Sequence, residues 1–205
     1  VVYNQWKEKE NDNYWYTENF IDWDKAMKAI KKQASDMADE TGHVVVSLKK
    51  TETPEANGSS ETRSLKEEEP AYTVKDDVLY LKGGNTFELT AKQLSELKEI
   101  DFVDSYDGDP VYVIVKDEGS ITVPTLKFGG DVNTRNMQEA LVPCNIVWVC
   151  PNATEFNVTE MTGHLVAPNA TAKYNRGHYE GCVIAESFYG PIAEGHHWRL
   201  ENEKT

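Results

Sequence analysis

The last third of the chain repeats one short pattern, at positions 148–154 (WVCPNAT), 165–171 (LVAPNAT) and 183–189 (VIAESFY). The interval from one copy to the next is nearly constant. Such an interval with alternating apolar residues is typical of a β-solenoid, in which each coil buries its inner face only against the next coil. Small residues occupy one position of the pattern: Cys150, Ala167 and Ala185. We predict that these three stack inward in successive parallel turns, about 4.8 Å apart.

A coil must also bend between its straight segments, and glycine is the residue that bends most easily because it reaches positive φ without steric cost. Five glycines accompany the repeats: Gly163, Gly177, Gly181, Gly190 and Gly195. They are expected at the corners of the coils.

An amphipathic helix is predicted over residues 22–38. Its apolar residues fall three or four apart and form one stripe: Trp23, Ala26, Met27, Ile30, Ala34 and Met37. Asp22 is a suitable N-cap, and Gly42 follows the end of the helix as a stop signal. A stripe of this kind is usually packing, so we expect the helix to lie along the solenoid.

The middle of the chain is predicted to be strands and one short helix. The strands are expected at 43–48, 78–81, 86–89, 111–115 and 121–123, where β-branched and other apolar residues cluster. Thr90 and Gln93 have capping-box spacing, which predicts a short helix with Leu94 and Leu97 on one side.

These elements predict an α+β, mainly β fold: a short right-handed parallel β-solenoid with one long amphipathic helix packed alongside. Residues 1–205 are expected to form a single domain with its clearest coils at 145–200. Residues 1–19 are predicted to be a peripheral segment, and residues 50–70, which have almost no large apolar group, an exposed loop.

Composition excludes some classes of function. Asp and Glu number 35 against 21 Lys and Arg, and the net charge of −14 repels nucleic acid and anionic lipid. No apolar run is long enough to span a bilayer as a helix, so no membrane-spanning helix is expected. The chain also begins without a signal-peptide pattern, so we place any export signal and surface anchor outside these residues.

Six stretches of the chain resemble the choice-of-anchor A domains of secreted and wall-attached bacterial proteins. They are 20–27 (FIDWDKAM), 110–115 (PVYVIV), 146–153 (IVWVCPNA), 163–170 (GHLVAPNA), 181–187 (GCVIAES) and 194–196 (EGH). The resemblance implies an extracellular adhesive domain, attached to the cell wall or surface. The opening strand and coil of that family are absent here, which leaves open whether the first coils are missing or supplied by another chain.

The sequence contains only weak signals for a metal site. The interval that separates Ala167 from Ala185 also places Glu160, His178 and His196 in one column, where they could share a divalent metal. Solvated turn residues and an end cap are the favoured interpretation of this column. The acidic residues at 104, 107 and 109 could suggest calcium, but they lack EF-hand spacing and favour a solvated loop. We therefore predict no cofactor.

The three cysteines, Cys144, Cys150 and Cys182, do not share a column on adjacent coils, so they are predicted to be buried, unpaired thiols. The aromatic residues of the last third could form an exposed binding strip, or core and cap, and both interpretations stay open. They are Trp148, Tyr174, Phe188, Tyr189 and Trp198.

The function predicted from these features is non-catalytic adhesion at a bacterial surface. No nucleophile motif of the G-x-S-x-G kind is present. The expected partner is a host extracellular-matrix protein, a surface glycan or another surface-protein domain. The alternatives are a polysaccharide-active β-solenoid enzyme and a structural subunit of a surface assembly.

Overall fold

The computed structural model of the protein describes residues 22–48, 70–103, 110–129, 145–175, 177–191 and 193–196. These ranges contain two helices, α1 (Trp23–Asp39) and α2 (Ala91–Glu96), and neither is long and apolar enough to cross a membrane. Their strands are β1 (Val44–Val45), β2 (Tyr72–Lys75), β3 (Val78–Lys82), β4 (Thr86–Leu89), β5 (Glu99–Val103), β6 (Val111–Val115), β7 (Gly119–Thr122), β8 (Thr125–Phe128), β9 (Ile146–Val149), β10 (Ala153–Val158), β11 (Met161–Thr162), β12 (His164–Tyr174), β13 (Gly177–Glu180), β14 (Val183–Tyr189) and β15 (Ala193–His196). The protein is mainly β, as predicted.

The strands of the described ranges form three sheets. The main sheet follows the order β1-β4-β6-β9-β12-β10-β7, and β14 also pairs with β12. The second sheet has the order β11-β13-β15, and the third has the order β2-β3-β5-β8. Neighbouring strands of the described ranges run parallel except β2 and β3, which are antiparallel. The main sheet curls as a parallel half-barrel and is not a closed solenoid.

The predicted column of small residues is confirmed. Ala167 lies directly opposite Ala185 in the pairing of β12 with β14. On the other side of β12, Val166 lies opposite Val149, and the Cys150 amide donates to the Val166 carbonyl at 2.9 Å. Cys150 and Ala167 are both fully buried. The repeat in the sequence therefore corresponds to inward positions on successive parallel strands.

The number of residues along the chain that separates paired residues of β12 and β14 is not uniform. Ala167 lies opposite Ala185, and Thr171 lies opposite Ser187, so the segment between these two pairs is longer on β12 than on β14. The pairing of the two strands is irregular at this point. The prediction of a uniform period is therefore wrong for the second half of β12. The handedness of the coils stays a prediction.

One core fills the space between the main and third sheets. Trp148 is fully buried and meets the Phe156 ring edge-on, with ring centroids 6.0 Å apart. On the third sheet, the stacked rings of Phe102 and Phe128 are 5.5 Å apart. These rings belong to one continuous cluster of buried apolar side chains, which is the principal source of stability for such a fold.

Helix α1 packs on the outside of the main sheet, as predicted. Its N-cap is Asp22, whose carboxylate accepts a hydrogen bond from the Lys25 amide at 2.9 Å. Ala34 and Ala38 are buried against an apolar patch on the outer face of β6 and β9, formed by Ile114, Val147 and Val149. Two alanines at this contact let the helix backbone approach the sheet closely.

The capping box of α2 is also confirmed. The Gln93 amide donates to the Thr90 hydroxyl at 3.1 Å, and the Thr90 amide donates to the Gln93 side chain at 2.7 Å. The Gln93 side chain also donates to the Val46 carbonyl at 2.7 Å, which links the helix to the end of β1.

Two predictions of strands need correction. The buried strand expected at 43–48 is only the two residues of β1, and Val45 is 67% exposed. The third sheet was largely missed, since β2, β5 and β8 were not predicted. Its inner residues alternate with polar ones, as in Ile100 and Phe102 of β5, but each strand is only four or five residues long. In the sequence, such short alternating segments are difficult to distinguish from the loops that surround them.

Some predictions lie outside the described residues. They concern the peripheral segment 1–19, nearly all of the loop 50–70, the acidic residues at 104, 107 and 109, and Cys144. The glycine prediction is confirmed for Gly163, Gly177 and Gly181, which have positive φ, and is wrong for Gly195, which lies within β15.

Candidate binding surface

The outer side of the β7, β10, β12 and β14 strands presents two rows of polar side chains. The first row contains Ser120, Glu155, Thr171 and Ser187. The second row contains Thr122, Asn157, Lys173 and Tyr189. Members of a row are register partners on neighbouring parallel strands, about 4.8 Å apart. We call these eight residues the polar face.

Strand geometry explains why these side chains point outward. Side chains alternate between the two faces of a strand, so the residues between the two rows point into the core. Ile121, Phe156 and Ala172 lie opposite one another in this inner column, and all three are fully buried. The polar face is therefore held on a packed apolar base, which limits how far its backbone can move.

Hydrogen bonds connect neighbouring members of the polar face. The Asn157 side chain donates to the Ser120 hydroxyl at 2.9 Å, and the Thr171 and Ser187 hydroxyls are 2.8 Å apart. Ser187 is exposed and Thr171 is half-buried. Both hydroxyls keep further bonding capacity towards solvent, because a hydroxyl carries one donor and two acceptor sites.

The charges of the polar face are paired. The Lys173 ammonium donates to the Glu155 carboxylate, and both side chains are about one-third to two-fifths exposed, at 32% and 41%. The hydrogen bond from Lys173 lowers the pKa of Glu155, and the positive charge of Lys173 lowers it further. Glu155 therefore stays ionised at neutral pH, and its charge balances that of Lys173 within the polar face.

At one end of the polar face, β14 carries two exposed aromatic side chains. Phe188 is 47% exposed and Tyr189 is 57% exposed. Phe188 belongs to the inner column and stacks on Tyr174, with ring centroids 5.2 Å apart. Tyr189 belongs to the second row of the polar face, next to Lys173. The polar face therefore ends at an exposed aromatic ring.

Comparison with protein families identifies the kind of domain. The family model described as "Putative Ice-binding-like adhesive domain" matches residues 4–197, which is nearly the whole chain. The chain belongs to this family. No curated protein and no solved structure gives a significant match. The adhesive domain expected from the sequence is thus confirmed, and the choice-of-anchor A type stays a prediction.

For the aromatic residues of the last third, core packing and an exposed binding strip were both open, and the structure separates the residues between them. Trp148 and Tyr174 are buried and belong to the core, because their positions on β9 and β12 point inward. Phe188 and Tyr189 are exposed, but as consecutive residues of β14 they point to opposite faces of the strand and do not form one strip. Trp198 lies outside the described residues.

The column in which Glu160, His178 and His196 could have shared a metal does not follow the backbone register of the second sheet. In the pairing of β13 with β15, His178 lies opposite Glu194, and His196 lies opposite Glu180, so the two histidines are not register partners. Glu160 is exposed, and the side chains of both histidines lie outside the described part of the structure. No cluster of three metal-binding side chains occurs among the described residues.

The prediction of a buried thiol is confirmed for Cys150, whereas Cys182 is less buried than predicted. Cys150 is a fully buried free thiol, and burial raises its pKa far above the ordinary range. Cys182 is half-buried, and burial raises its pKa as well. Its amide lies 3.2 Å from the His164 Nδ1 atom, to which it donates.

The polar face itself was missed by sequence reasoning. A signal was present, because polar residues alternate with apolar ones in 155–158 (EFNV) and 171–174 (TAKY). The small residues of the repeat mark only its inward positions. Aligning these segments at the shorter interval that holds in this half of the sheet would have placed Glu155 beside Thr171 and Thr171 beside Ser187.

Proposed function

We propose that this chain is a non-catalytic adhesive domain, displayed outside a bacterial cell and attached to its wall or surface, and that it binds its partner through the polar face. The membership in a family of adhesive domains supports the general role. The observation that carries the location of the site is the pair of polar rows, held in register on four parallel strands.

Several properties of the polar face support binding rather than catalysis. Its eight residues include one carboxylate, Glu155, and Lys173 holds that carboxylate ionised. Hydrolysis of a glycosidic bond usually requires two carboxyl groups, one of which keeps its proton at neutral pH. A surface array of hydroxyl, amide and paired charged groups suits reversible contact with an extended partner. The partner is a host extracellular-matrix protein or a surface glycan.

A surface-display assay tests this proposal. The domain is displayed on bacterial cells, and retention of the cells is measured on immobilised collagen, fibronectin and polysaccharides. The double substitution Thr122→Arg and Ser187→Arg places two bulky charged side chains on the polar face. We expect it to reduce retention by at least about tenfold, because a bulky charged side chain at each end of the polar face obstructs a partner that lies across all four strands.

A matched control carries the same change in charge on a different face. Thr73 and Thr125 are exposed on the outer side of the third sheet, in β2 and β8. The double substitution Thr73→Arg and Thr125→Arg should leave retention within about twofold of the unmodified domain, as surface changes away from a site do. Equal retention of both double variants, or no retention of the unmodified domain on any surface, would count against the proposal.

A further inference from the structure

We infer that the polar face binds a neutral polysaccharide, with the Tyr189 ring as a stacking platform at one end of it. This inference rests on the proposed function, because it names the class of partner for the same surface. It is carried by three features of the described residues: the exposed ring, the polar row that continues from it, and the balanced charge of the face.

The position of Tyr189 suits contact with a sugar ring. Its side chain is 57% exposed and lies at the end of the second row, with Lys173 and then Asn157 as the next members. Neighbouring strands place these side chains about 4.8 Å apart. A pyranose ring has an apolar face of C–H groups, which an aromatic ring covers, and a rim of hydroxyls, which need donors and acceptors.

The side chains beside Tyr189 supply those donors and acceptors. Lys173 carries donors, Asn157 carries both donors and acceptors, and the Thr171 and Ser187 hydroxyls can do either. These groups lie on a sheet surface and not in a concave pocket, whereas small ligands are usually enclosed. The geometry therefore favours an extended polymer that lies across the strands.

Charge selects a neutral polymer over an acidic one. The chain has a net charge of −14, so a polyanion is repelled at long range. Within the polar face, Lys173 is already paired with Glu155 and offers no unbalanced positive charge. Sulfated and uronic-acid-rich glycans are therefore disfavoured.

The composition of the polar face also favours a glycan over a protein. The centres of protein interfaces are depleted of charged residues and enriched in large apolar and aromatic ones. The central members of the polar face are instead Glu155, Asn157, Thr171 and Lys173. The large exposed aromatic member lies only at the end.

The test measures binding of the purified full chain to named polymers. Cellulose, chitin, mannan and dextran are the neutral probes, heparin is the anionic probe, and type I collagen is the protein probe. We expect binding to at least one neutral polymer. Tyr189→Ala should weaken it by at least about tenfold, whereas Tyr189→Phe, which keeps the ring, should change it by less than about threefold.

Two further variants show whether a change in binding comes from the polar face or from a loss of the folded state. Trp23→Ala removes another exposed aromatic side chain, on α1, which is not a member of the polar face, and should leave binding unchanged. Thr171→Val keeps the branched shape that suits a strand and removes one hydroxyl, so binding should fall by roughly threefold. The thermal unfolding midpoint of each variant shows whether it is folded.

The other outcomes separate this inference from the proposed function. If collagen or heparin binds, the Arg double variant of the polar face abolishes that binding, and no neutral polymer binds, the inference is overturned while the proposed function stands. If a neutral polymer binds equally well to unmodified domain, Tyr189→Ala and the Arg double variant, both are overturned.

Discussion

At the scale of single residues, two glycines allow neighbouring turns of the chain to approach closely. A Cβ atom added to Gly181 would lie 2.1 Å from the Gly163 carbonyl oxygen, and one added to Gly163 would lie 2.6 Å from the Ile146 carbonyl oxygen. Their φ angles are +141° and +107°, which disfavour other residues. These positions therefore tolerate no side chain, because the obstacle is backbone and not a flexible side chain.

Gly181→Ala is predicted to lower the free energy of unfolding by about 3 kcal/mol or more, since it adds a backbone clash to the strain of positive φ. Gly119→Ala is the matched control, because Gly119 has φ of +90° and open space around its added Cβ. It should cost only about 1–2 kcal/mol. Chemical denaturation measures both values, and equal losses would show that the close approach does not matter.

Because Cys150 is buried, its thiol makes the free energy of unfolding depend on pH in the alkaline range. Burial raises the pKa of its thiol, so the folded protein holds the proton at pH values where the unfolded chain releases it. The stabilising contribution is complete below the ordinary thiol pKa of about 8.5 and is lost as pH rises above it.

We predict that the free energy of unfolding of Cys150→Ala falls less steeply between pH 8.5 and 10 than that of the unmodified protein, by about 1 kcal/mol per pH unit on average. Alanine already occupies the same inward column at Ala167 and Ala185, so the variant should fold. Denaturation at a series of pH values gives the two slopes. Parallel slopes would mean that the thiol ionises in the folded state.

At the scale of elements, α1 is stabilised by its contact with the main sheet. Its helix dipole and caps supply only part of the stability, since most helical stability in proteins comes from packing of the apolar face. Ala34 is 1% exposed and Ala38 is 2% exposed, and they leave no room for a larger side chain beside Val147 and Val149.

Ala34→Leu is therefore expected to lower the free energy of unfolding by about 1–3 kcal/mol through overpacking. The matched control is Gln33→Leu, which introduces the same residue at an exposed position of α1 and should change stability by less than about 0.5 kcal/mol. Chemical denaturation compares the two variants. A similar effect of both would indicate that the helix does not dock as closely as described.

At the scale of the whole molecule, the stack of strands has a protected middle and a less protected end. Within the described residues, β12 pairs with β9 and β10 on one side and with β14 on the other, whereas β14 pairs with β12 alone. Its last four residues are all exposed. In stacked architectures each unit is stabilised chiefly by its neighbours, so β14 should open more readily than β12.

Hydrogen exchange measured by mass spectrometry checks this expectation. Amides of peptides that cover β14 should exchange at least about tenfold faster than those of β12, which corresponds to a difference of about 1.4 kcal/mol in opening free energy. Binding of a partner at Tyr189 should slow exchange in β14. Equal protection of the amides of the two strands in the free protein would contradict the prediction that β14 opens more readily than β12.

Much of the fold could be predicted because its signals are local or periodic. The N-cap Asp22 and the apolar stripe identified α1, and the spacing of Thr90 and Gln93 identified α2. The repeated small residues at 150, 167 and 185 predicted parallel stacking, since residues at one phase of a repeat must match in size when they stack. These features depend on neighbours along the chain or on one constant interval.

The amino-acid sequence alone thus determined the helices, the inward column of small residues and the adhesive character of the domain. Only the tertiary structure decided the outward rows of the polar face and the position of Tyr189 beside Lys173. The physical reason is the irregular pairing between Ala167 and Thr171, beyond which partners on β12 and β14 lie closer together along the chain than before it. Register across such an irregularity is set by the packing of the strands against the core, and no local pattern records it.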